Sequence, residues 1–382
     1  MLRHLAAKHR VTYLCLDDGT SGPAAHAAAA EYCDRLITVP APAIAKGSLA
    51  FYRLVARSLV EPLPYAILRY CSELMRQRID ELSDRMDVVV CDFLASTVNL
   101  PEALPVATVL FQHNVETSIW RRRARLARNP LARAYLDDQA NKMADYEAAQ
   151  CRRFGHVVAV SEADAETHRL DHGVDSVTAI PTGVDLDYFR PRGTRPRPGE
   201  LVFVGSMDWS PNEDAVIGFV ADGLPRVRRR VPHARLTIVG RAPTAKVRAL
   251  ARADGSVRVA GDVDDVRPYY EEASVVVVPL RIGSGTRLKI FEAMAMERPV
   301  VSTTIGAEGL PVRSGVDILL ADGEPAFAET VAELLLDPAR AAELGRRGAA
   351  AVRPARGWER AAAAFADVCE RTVEGGARRL SA

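Results

Sequence analysis

The sequence predicts an α/β protein with two Rossmann-like domains, each built around a parallel sheet. Short apolar runs alternate with longer helical patterns along most of the 382 residues. The predicted strands are nearly continuous runs of Val, Ile and Leu, which is typical of parallel strands covered on both faces. Residues 189–199 combine prolines and glycines with arginines, a composition that favours an interdomain linker.

The first half contains six candidate strands, at residues 11–16, 35–39, 88–91, 107–112, 156–161 and 177–180. Helical patterns cover 65–82 and a long polar stretch from about 116 to 154. The second half repeats the rhythm, with strands at 201–205, 235–239, 257–260, 275–279, 300–302 and 318–320. Its helices are predicted at 213–230, 246–253, 266–273, 287–296 and 325–336, with a C-terminal helix at 358–372.

These patterns divide the chain into an N-terminal domain at 1–188, a second domain at 189–353, and a C-terminal segment at 354–382. We expect the helix of that last segment to pack back on the first domain. Ligands of open parallel sheets bind at the carboxyl ends of the strands, so we expect the site in the cleft between the two domains.

The composition excludes several classes of protein. Lys and Arg number 50 against 49 Asp and Glu, and the net charge of +1 argues against a nucleic-acid binder. No apolar run approaches the roughly 18 residues that span a bilayer. The six cysteines show no C-x-x-C pair and no metal-ligand spacing, which favours small buried side chains in a reducing cytoplasm. Residues 1–16 lack the features of a signal peptide.

The most informative segment runs from 277 to 296, where a buried strand, a loop and a helix follow one another. Gly283 and Gly285 would let the backbone approach a ligand, and Thr286 could cap the helix, whose free N–H groups form an anion site. Arg287 and Lys289 add cations where they oppose the helix dipole unless an anion lies between them. A solvated loop with incidental charge is the alternative interpretation.

This segment, with Glu292 followed by Ala-Met-Ala, resembles the donor-site motif of the retaining GT-B glycosyltransferases of family 4 (glycosyl transferases group 1). Further landmarks occur in the same order. Residues 180–185 (Ile-Pro-Thr-Gly-Val-Asp) resemble an interdomain signature, and 201–205 and 236–240 resemble the first two strands of the donor domain. Residues 259–266 are similar to the loop that holds the nucleotide base. The resemblance covers about residues 2–370 and implies the GT-B fold.

The resemblance also implies roles for single residues. Glu292 should hydrogen-bond the donor ribose, and Val263 and Asp265 should flank the base. The donor-binding set is completed by Gly205, Arg281, and the amides of Gly283, Ser284, Gly285 and Thr286 at the diphosphate or sugar. Ser284 stands where relatives carry a glutamate that touches the sugar, which is one departure from the pattern.

A second departure concerns the diphosphate. Ser206 and Asn212 stand where relatives carry an arginine and a lysine. We hypothesise that Arg287 and Lys289 replace these missing cations.

On the first-domain side, His113 follows the predicted strand at 107–112, together with Asn114 and Glu116. The resemblance places a histidine near this strand end beside the donor sugar, so His113 and Glu116 are the candidate catalytic residues; a structural histidine is the alternative. The two Asp-x-Asp matches, at 185–187 and 262–264, fall within the family landmarks. We therefore expect no metal and no cofactor, with cations and amides stabilising the leaving diphosphate.

Six arginines and no acidic residue lie between Arg121 and Arg133. This stretch could meet an anionic membrane or a lipid-linked acceptor at the inner face of the plasma membrane. A solvated helix surface is the alternative.

The sequence therefore predicts a transferase that moves a sugar from a nucleotide-diphosphate donor to a hydroxyl of a glycan or lipid-linked glycan, with retention, in bacterial surface polysaccharide synthesis. The alternatives are a catalytically impaired nucleotide-sugar-binding protein and a GT-B nucleotide-sugar epimerase. Relatives begin with a strand and a glycine-bearing loop, whereas this chain begins within a helical pattern. We expect roughly 20–35 further residues upstream of Met1.

Overall fold

The computed structural model describes residues 1–19, 22–41, 43–45, 47–282, 288–353 and 357–380. The chain forms two compact units, Met1–Pro181 together with Trp358–Ala382, and Thr182–Gly357. We predicted a boundary after residue 188, and the units instead divide after Pro181. The segment at 189–199 belongs to the second unit, because Arg192 donates its N–H to Glu271 at 2.8 Å and Arg197 pairs with Glu272 at 2.7 Å.

The first unit contains two parallel sheets. Strands β1 and β2 form one pair, and the other sheet has the order β3-β4-β5-β6. The strands are β1 (Thr12–Asp17), β2 (Arg35–Pro40), β3 (Val88–Asp92), β4 (Ala107–Gln112), β5 (His156–Ala159) and β6 (Val177–Ala179). All six predicted strands are confirmed to within two residues at each end.

The helices of the first unit are α1 (Leu2–Ala6), α2 (Pro23–Ala30), α3 (Leu49–Val60), α4 (Tyr65–Leu68), α5 (Glu73–Ser83), α6 (Glu116–Leu126), α7 (Pro130–Arg153), α8 (Glu162–Leu170) and α16 (Trp358–Leu380). The four-stranded sheet is covered on both faces. Phe365 and Val368 of α16 pack on Val109, Phe111 and Val158. The opposite face carries a second core that includes Leu110, Trp120, Met143 and Val157. This burial explains the continuous apolar runs of these strands.

Two helix predictions in this unit are wrong because polar side chains end the helices early. The pattern at 65–82 is broken between α4 and α5. The side chain of Asn99 donates a hydrogen bond to the carbonyl of Tyr70 and accepts one from the N–H of Ser72. The hydroxyl of Ser72 then caps the start of α5. The stretch at 116–154 is two helices, α6 and α7, because Asn129 caps α7 and Pro130 has no N–H with which to continue the preceding helix.

The second unit has one six-stranded parallel sheet in the order β12-β11-β10-β7-β8-β9. Its strands are β7 (Glu200–Val204), β8 (Arg235–Val239), β9 (Val257–Gly261), β10 (Val275–Val278), β11 (Val300–Ser302) and β12 (Leu319–Leu320). The six strands predicted here are likewise confirmed to within two residues at each end. The core is the buried sheet, with β10 wholly buried.

Seven helices are described in this unit: α9 (Ser210–Gly218), α10 (Leu224–Arg230), α11 (Ala245–Ala253), α12 (Arg267–Glu272), α13 (Leu288–Ala295), α14 (Glu324–Leu336) and α15 (Pro338–Val352). The helix predicted at 213–230 is interrupted by a π-helical turn at Phe219–Gly223, since Pro225 has no N–H to donate to the preceding turn. The helices α2, α3, α8 and α15 were not among those predicted. No helix in the described part of the chain is both long and apolar enough to cross a membrane.

Candidate functional site

In the second unit, β7 and β8 are each followed by a glycine, and these two glycines lie against each other. The N–H of Gly205 donates to the carbonyl of Val239 at 2.9 Å. Gly240 has a φ of +145°, and a Cβ placed there would lie 1.9 Å from the carbonyl oxygen of Gly205. A Cβ on Gly205 would lie 2.6 Å from Nζ of Lys289 and 2.7 Å from Nδ2 of Asn212. The missing side chains therefore open a corner at the carboxyl end of the sheet.

Lys289 and Asn212 fill this corner. Nζ of Lys289 donates to Oδ1 of Asn212 at 2.7 Å and lies 4.2 Å from the ring centroid of Phe203, a cation–π contact. Asn212 also donates from Nδ2 to the carbonyl of Ser206 at 2.8 Å. The ammonium group from α13 therefore lies beside the position at which the family resemblance places a lysine.

Arg241 was missed by the sequence analysis. It follows Gly240, and its Nε donates to Oγ of Ser206 at 2.8 Å. The two loops are joined at the backbone, where Met207 donates its N–H to the carbonyl of Arg241 at 2.9 Å. A basic residue directly after a glycine-ended strand was the only sequence signal. Ser206 and Asn212 are thus each contacted by a cation from another element.

Glu292 lies on α13 one turn beyond Lys289, and it is partly buried. Its Oε2 accepts a hydrogen bond of 2.9 Å from the hydroxyl of Tyr270, which is fully buried. Burial raises the pKa of Glu292, while the Tyr270 bond and the Lys289 charge oppose this shift. Among the described residues Oε1 has no hydrogen-bond partner. One carboxylate oxygen is therefore fixed by the protein, and the other makes no hydrogen bond to a described residue.

Two other predicted donor-binding side chains are held by oppositely charged partners. Arg281 pairs with Asp214 at 2.7 Å and with Glu324 at 3.7 Å, and so joins α9 to α14. Asp265 accepts hydrogen bonds from Arg267, Arg192 and the hydroxyl of Tyr188. The bond to Arg267 is the main reason that the pKa of Asp265 lies well below its usual range.

Val263 and Asp265 share a surface pocket with a volume of about 340 Å³, lined also by Arg258, Asp264, Pro268, Tyr269 and Glu272. The predicted positions Gly283, Ser284, Gly285, Thr286 and Arg287 lie outside the described residues. Their roles stay predictions.

In the first unit, His113 lies just beyond the end of β4 and bonds to Asp92, the last residue of β3. Nε2 of His113 lies 2.6 Å from Oδ1 of Asp92. Because a carboxylate only accepts, Nε2 carries the proton. The adjacent β3–β4 pairing, with Asp92 opposite Phe111, brings these two groups together. Asp92 was missed by the sequence analysis, although an aspartate at the carboxyl end of a predicted strand was a usable signal.

Two aromatic rings hold the His113 imidazole. Phe93 stacks on it with ring centroids 4.0 Å apart and an interplanar angle of 22°, and Phe111 lies tilted at 4.2 Å. Phe93 has a φ of 71°, a conformation that costs free energy in a residue with a side chain. This strain is tolerated where the Phe93 ring fixes the orientation of His113.

Glu116 begins α6, three residues after His113, and a second acid lies next to it. Burial, followed by the charge of Glu147, raises the pKa of Glu116 to about 7. Glu147 is fully buried and caps α6, because its two oxygens accept the N–H groups of Glu116 and Thr117, each at 2.9 Å. A carboxyl group with such a pKa can exchange a proton near neutral pH. Glu147 on α7 had no signal in the sequence.

Three other segments, the Ser161 turn, the first Asp-x-Asp match and the basic stretch, have local structural roles. Ser161 caps α8 by accepting the N–H of Asp164 at 3.1 Å. Asp185 Oδ1 accepts the N–H groups of Asp187 and Tyr188, so the first Asp-x-Asp match forms a turn. In the basic stretch, Arg123 stacks on Trp120 at 4.7 Å, and burial lowers its pKa.

Two family models match successive parts of the chain. Residues 1–188 match "Glycosyltransferase Family 4", and residues 198–337 match "Glycosyl transferases group 1".

Curated relatives include D-inositol 3-phosphate glycosyltransferase 2 of Catenulispora acidiphila, 30% identical over 64% of this chain and 60% of the relative. A GDP-mannose-dependent phosphatidylinositol monomannoside mannosyltransferase of Mycobacterium tuberculosis is 32% identical over 50% of this chain and 55% of the relative. The chain thus spans little more than half the length of these relatives.

Solved structures share the fold over nearly the whole chain. Sucrose-phosphate synthase from Thermosynechococcus elongatus has a TM-score of 0.73 at 19% identity, covering 98% of this chain and 92% of that one. Anabaena Alr3699/HepE, solved in complex with UDP and glucose, has a TM-score of 0.63 at 15% identity, covering 95% of this chain and 100% of that one. The predicted GT-B fold is confirmed.

Proposed function

Because two glycosyltransferase family models match successive parts of the chain and its fold is GT-B, we propose that it transfers a sugar from a nucleotide-diphosphate donor to a hydroxyl group of an acceptor. The observation that carries the proposal is the hydrogen-bonded pair of Lys289 and Asn212 beside Gly205. Glu292 lies one helical turn from Lys289, and only one of its carboxylate oxygens is bonded to the protein, through Tyr270. A cation at the end of a parallel sheet suits a phosphate, and a carboxylate oxygen suits the hydroxyls of a ribose. The HepE structure, solved with UDP and glucose, supports a donor of this class.

The donor diphosphate in this proposal binds to the ammonium group of Lys289, with Arg241 as a second cation. The resemblance assigns this task to an arginine and a lysine at the positions of Ser206 and Asn212, and both of those residues are neutral here. The contacts from Arg241 and Lys289 restore positive charge at the two positions. Arg287, the other half of the hypothesised replacement pair, remains part of the proposal.

For the transfer itself we propose His113 as the residue beside the donor sugar, with its ring held by Asp92 and Phe93. The bond between the anomeric carbon and the diphosphate breaks, and the acceptor oxygen bonds to the same carbon. The acceptor proton passes to the departing diphosphate, which the cations stabilise. Retention through this same-face route is taken from the family resemblance. Glu116 is proposed to orient the acceptor hydroxyl.

The acceptor is proposed to be a glycan or lipid-linked glycan of the bacterial surface, met at the cytoplasmic face of the membrane. Arg121, Arg125, Arg128 and Arg133 are exposed around the α6–α7 turn. Two exposed apolar side chains accompany them, Leu126 (46%) and Leu131 (82%). Basic and apolar groups on one turn suit an anionic lipid surface. The free cysteines suit a reducing compartment.

Liposome sedimentation tests the membrane contact. Replacing Arg121, Arg125 and Arg128 by Gln should abolish co-sedimentation with anionic vesicles and leave the melting temperature unchanged. Equal sedimentation of the variant and the parent protein would contradict the membrane contact. The proposed transfer reaction does not depend on that outcome.

Donor choice and activity are tested with the full chain in two steps. Nucleotide sugars are first screened by thermal unfolding, because a bound donor raises the melting temperature. Each donor that stabilises the protein is then incubated with and without candidate acceptors, and products are followed by mass spectrometry. Transfer only in the presence of an acceptor is the expected result. Stabilisation without turnover would favour a binding protein, and isomerised donor without acceptor would favour an epimerase; either would overturn the proposal.

A further inference from the structure

Three metal-ligating side chains meet inside the first unit, among the residues that the structure describes. Sγ of Cys151 lies 3.7 Å from Nδ1 of His168, which lies 2.9 Å from Nδ1 of His172. All three ligand atoms are within 4.8 Å of one another. Cys151 and His168 have no exposed surface, and His172 is only 4% exposed. The proposed transfer reaction uses none of them.

Two helices supply this cluster through residues four positions apart. Glu147 and Cys151 lie on one face of α7, and His168 and His172 lie on the last turn of α8 and just beyond it. The start of α8 is fixed by the Ser161 cap. The convergence therefore comes from two ordered elements and not from flexible loops. The spacing of His168 and His172, H-x3-H, was a usable signal, whereas Cys151 lies 17 residues before the first histidine and shows no such pattern.

Two of the three ligand separations are near those of a tetrahedral ion, and the ligand atoms of the third pair, Cys151 and His172, lie within 4.8 Å of each other. With zinc–sulfur bonds of about 2.3 Å and zinc–nitrogen bonds of about 2.0–2.1 Å, ligand atoms lie roughly 3.6 Å apart for sulfur and nitrogen and roughly 3.3 Å apart for two nitrogens. The sulfur–nitrogen distance of 3.7 Å already matches. The nitrogen–nitrogen distance of 2.9 Å needs to open by a few tenths of an ångström, which small rotations of the imidazole rings supply.

The surroundings match those of a ligated histidine and thiolate. The other ring nitrogen of His172, Nε2, faces Oε2 of Glu147 at 3.9 Å, about 1 Å longer than the hydrogen bond by which carboxylates orient metal-bound histidines. Nε2 of Gln112 lies 3.5 Å from Sγ of Cys151 and can donate a hydrogen bond to a thiolate. Nε2 of His168 is buried without a hydrogen-bond partner, so a hydrogen bond between the imidazoles alone leaves this ring poorly satisfied.

We propose that Cys151, His168 and His172 bind a divalent ion of the zinc class as three protein ligands. A thiolate with two imidazoles selects such borderline ions over magnesium or calcium. The thiol of Cys151 would lose its proton to solvent as the sulfur–metal bond forms, and no redox change is involved. The ion would join α7 to α8 and so fix the position of Glu147 on α7. Glu147 caps α6, the helix that begins three residues after His113, and these residues are called the His113 segment below. Its role is to fix the structure of this segment.

The proposal is tested on the full chain after removal of metal by a chelator. Cobalt(II) serves as the spectroscopic probe, because a thiolate ligand adds an intense near-ultraviolet charge-transfer band. We expect this band at a single equivalent of cobalt, and its loss on addition of zinc(II). Absence of the band in the parent protein, checked for folding by circular dichroism, would overturn the proposal without any variant.

Variants then locate the site. Cys151→Ser should abolish the thiolate band, and His172→Gln should weaken zinc affinity at least tenfold. Cys91→Ser is the matched control, since Cys91 is also a buried cysteine of the first unit and belongs to no cluster of three metal-ligating side chains among the described residues. Equal cobalt spectra for all three variants would place the metal elsewhere and contradict the assignment. Donor binding is not measured, so the result is independent of the proposed function.

Discussion

Lys289 donates a hydrogen bond to Asn212 at 2.7 Å, although 77 residues separate them in the chain. The pair lies beside Gly205, the glycine after β7, which has no side chain to occupy this space. Asn212 lies on α9, which follows β7, whereas Lys289 lies on α13, which follows β10. Positive charge at this corner is therefore supplied from a different part of the chain than in the family pattern. The four predictions that follow concern this corner and the His113 segment.

Replacing Lys289 by methionine should weaken donor binding roughly 10- to 100-fold, since a hydrogen bond to a charged group contributes about 1.5–3 kcal/mol. Lys246→Met is the matched control, because Lys246 is an exposed lysine of the same unit, at the start of α11. Titration calorimetry with the best donor measures both. The double variant with Arg287→Met should abolish binding, and unaltered affinity would rule out the hypothesised replacement of the missing cations.

Gly205→Ala should lower donor affinity more than it lowers stability. The new methyl group would lie 2.6 Å from Nζ of Lys289, the flexible end of a side chain that can move away. The fold can therefore accept the change, and the ammonium group is displaced from the corner. Gly255→Ala meets no atom within 4 Å and controls for the substitution itself. A Gly205→Ala protein that binds donor as well as the Gly255→Ala protein would show that the position of Lys289 is unimportant.

Asp92→Asn should reduce turnover by about 10- to 100-fold and leave the Michaelis constant for the donor nearly unchanged. The carboxylate orients the His113 ring through a 2.6 Å bond, and the amide can present its N–H instead of its oxygen. Asp87→Asn provides a comparison, because Asp87 precedes β3 at the opposite end of that strand. Steady-state kinetics distinguish an effect on turnover from one on binding. Full activity of Asp92→Asn would show that the Asp92 hydrogen bond to His113 is not needed for turnover.

Glu292→Gln should make the protein more stable at neutral pH while weakening donor binding. Burial raises the pKa of Glu292 in the folded state above its usual value. The folded protein then binds more protons than the unfolded chain, so this group's contribution to stability is present below the unfolded pKa and is lost as pH rises through the folded pKa. The amide of Gln stays neutral at every pH, so the variant does not lose stability as pH rises. Its oxygen can still accept the hydrogen bond from Tyr270.

Denaturant unfolding at several pH values checks this sign. The gain from Glu292→Gln should grow between pH 4.5 and neutrality and vanish at the acidic end, where both side chains are uncharged. A gain independent of pH would show that ionisation of Glu292 is not its cause.

The strands were predictable because parallel strands buried on both faces must be apolar along their whole length. β4 and β8 were predicted to the residue. Helix ends were harder, because they depend on capping partners. Asn99, distant in sequence, ends the helical pattern at Tyr70, and nothing in residues 65–82 announces it. Pro130 and Pro225, in contrast, are local signals that the patterns could have used.

The sequence by itself determined the fold class, the two α/β units and the glycines and charged residues that mark the family, since periodicity and local motifs are properties of neighbouring residues. The tertiary structure alone decided which of these residues meet. Lys289 with Asn212, Arg241 with Ser206, His113 with Asp92, and Cys151 with two histidines all join elements far apart in the chain. Such contacts depend on the order of strands in the sheets and on helix packing, which bring distant residues to one point and leave no trace in local pattern.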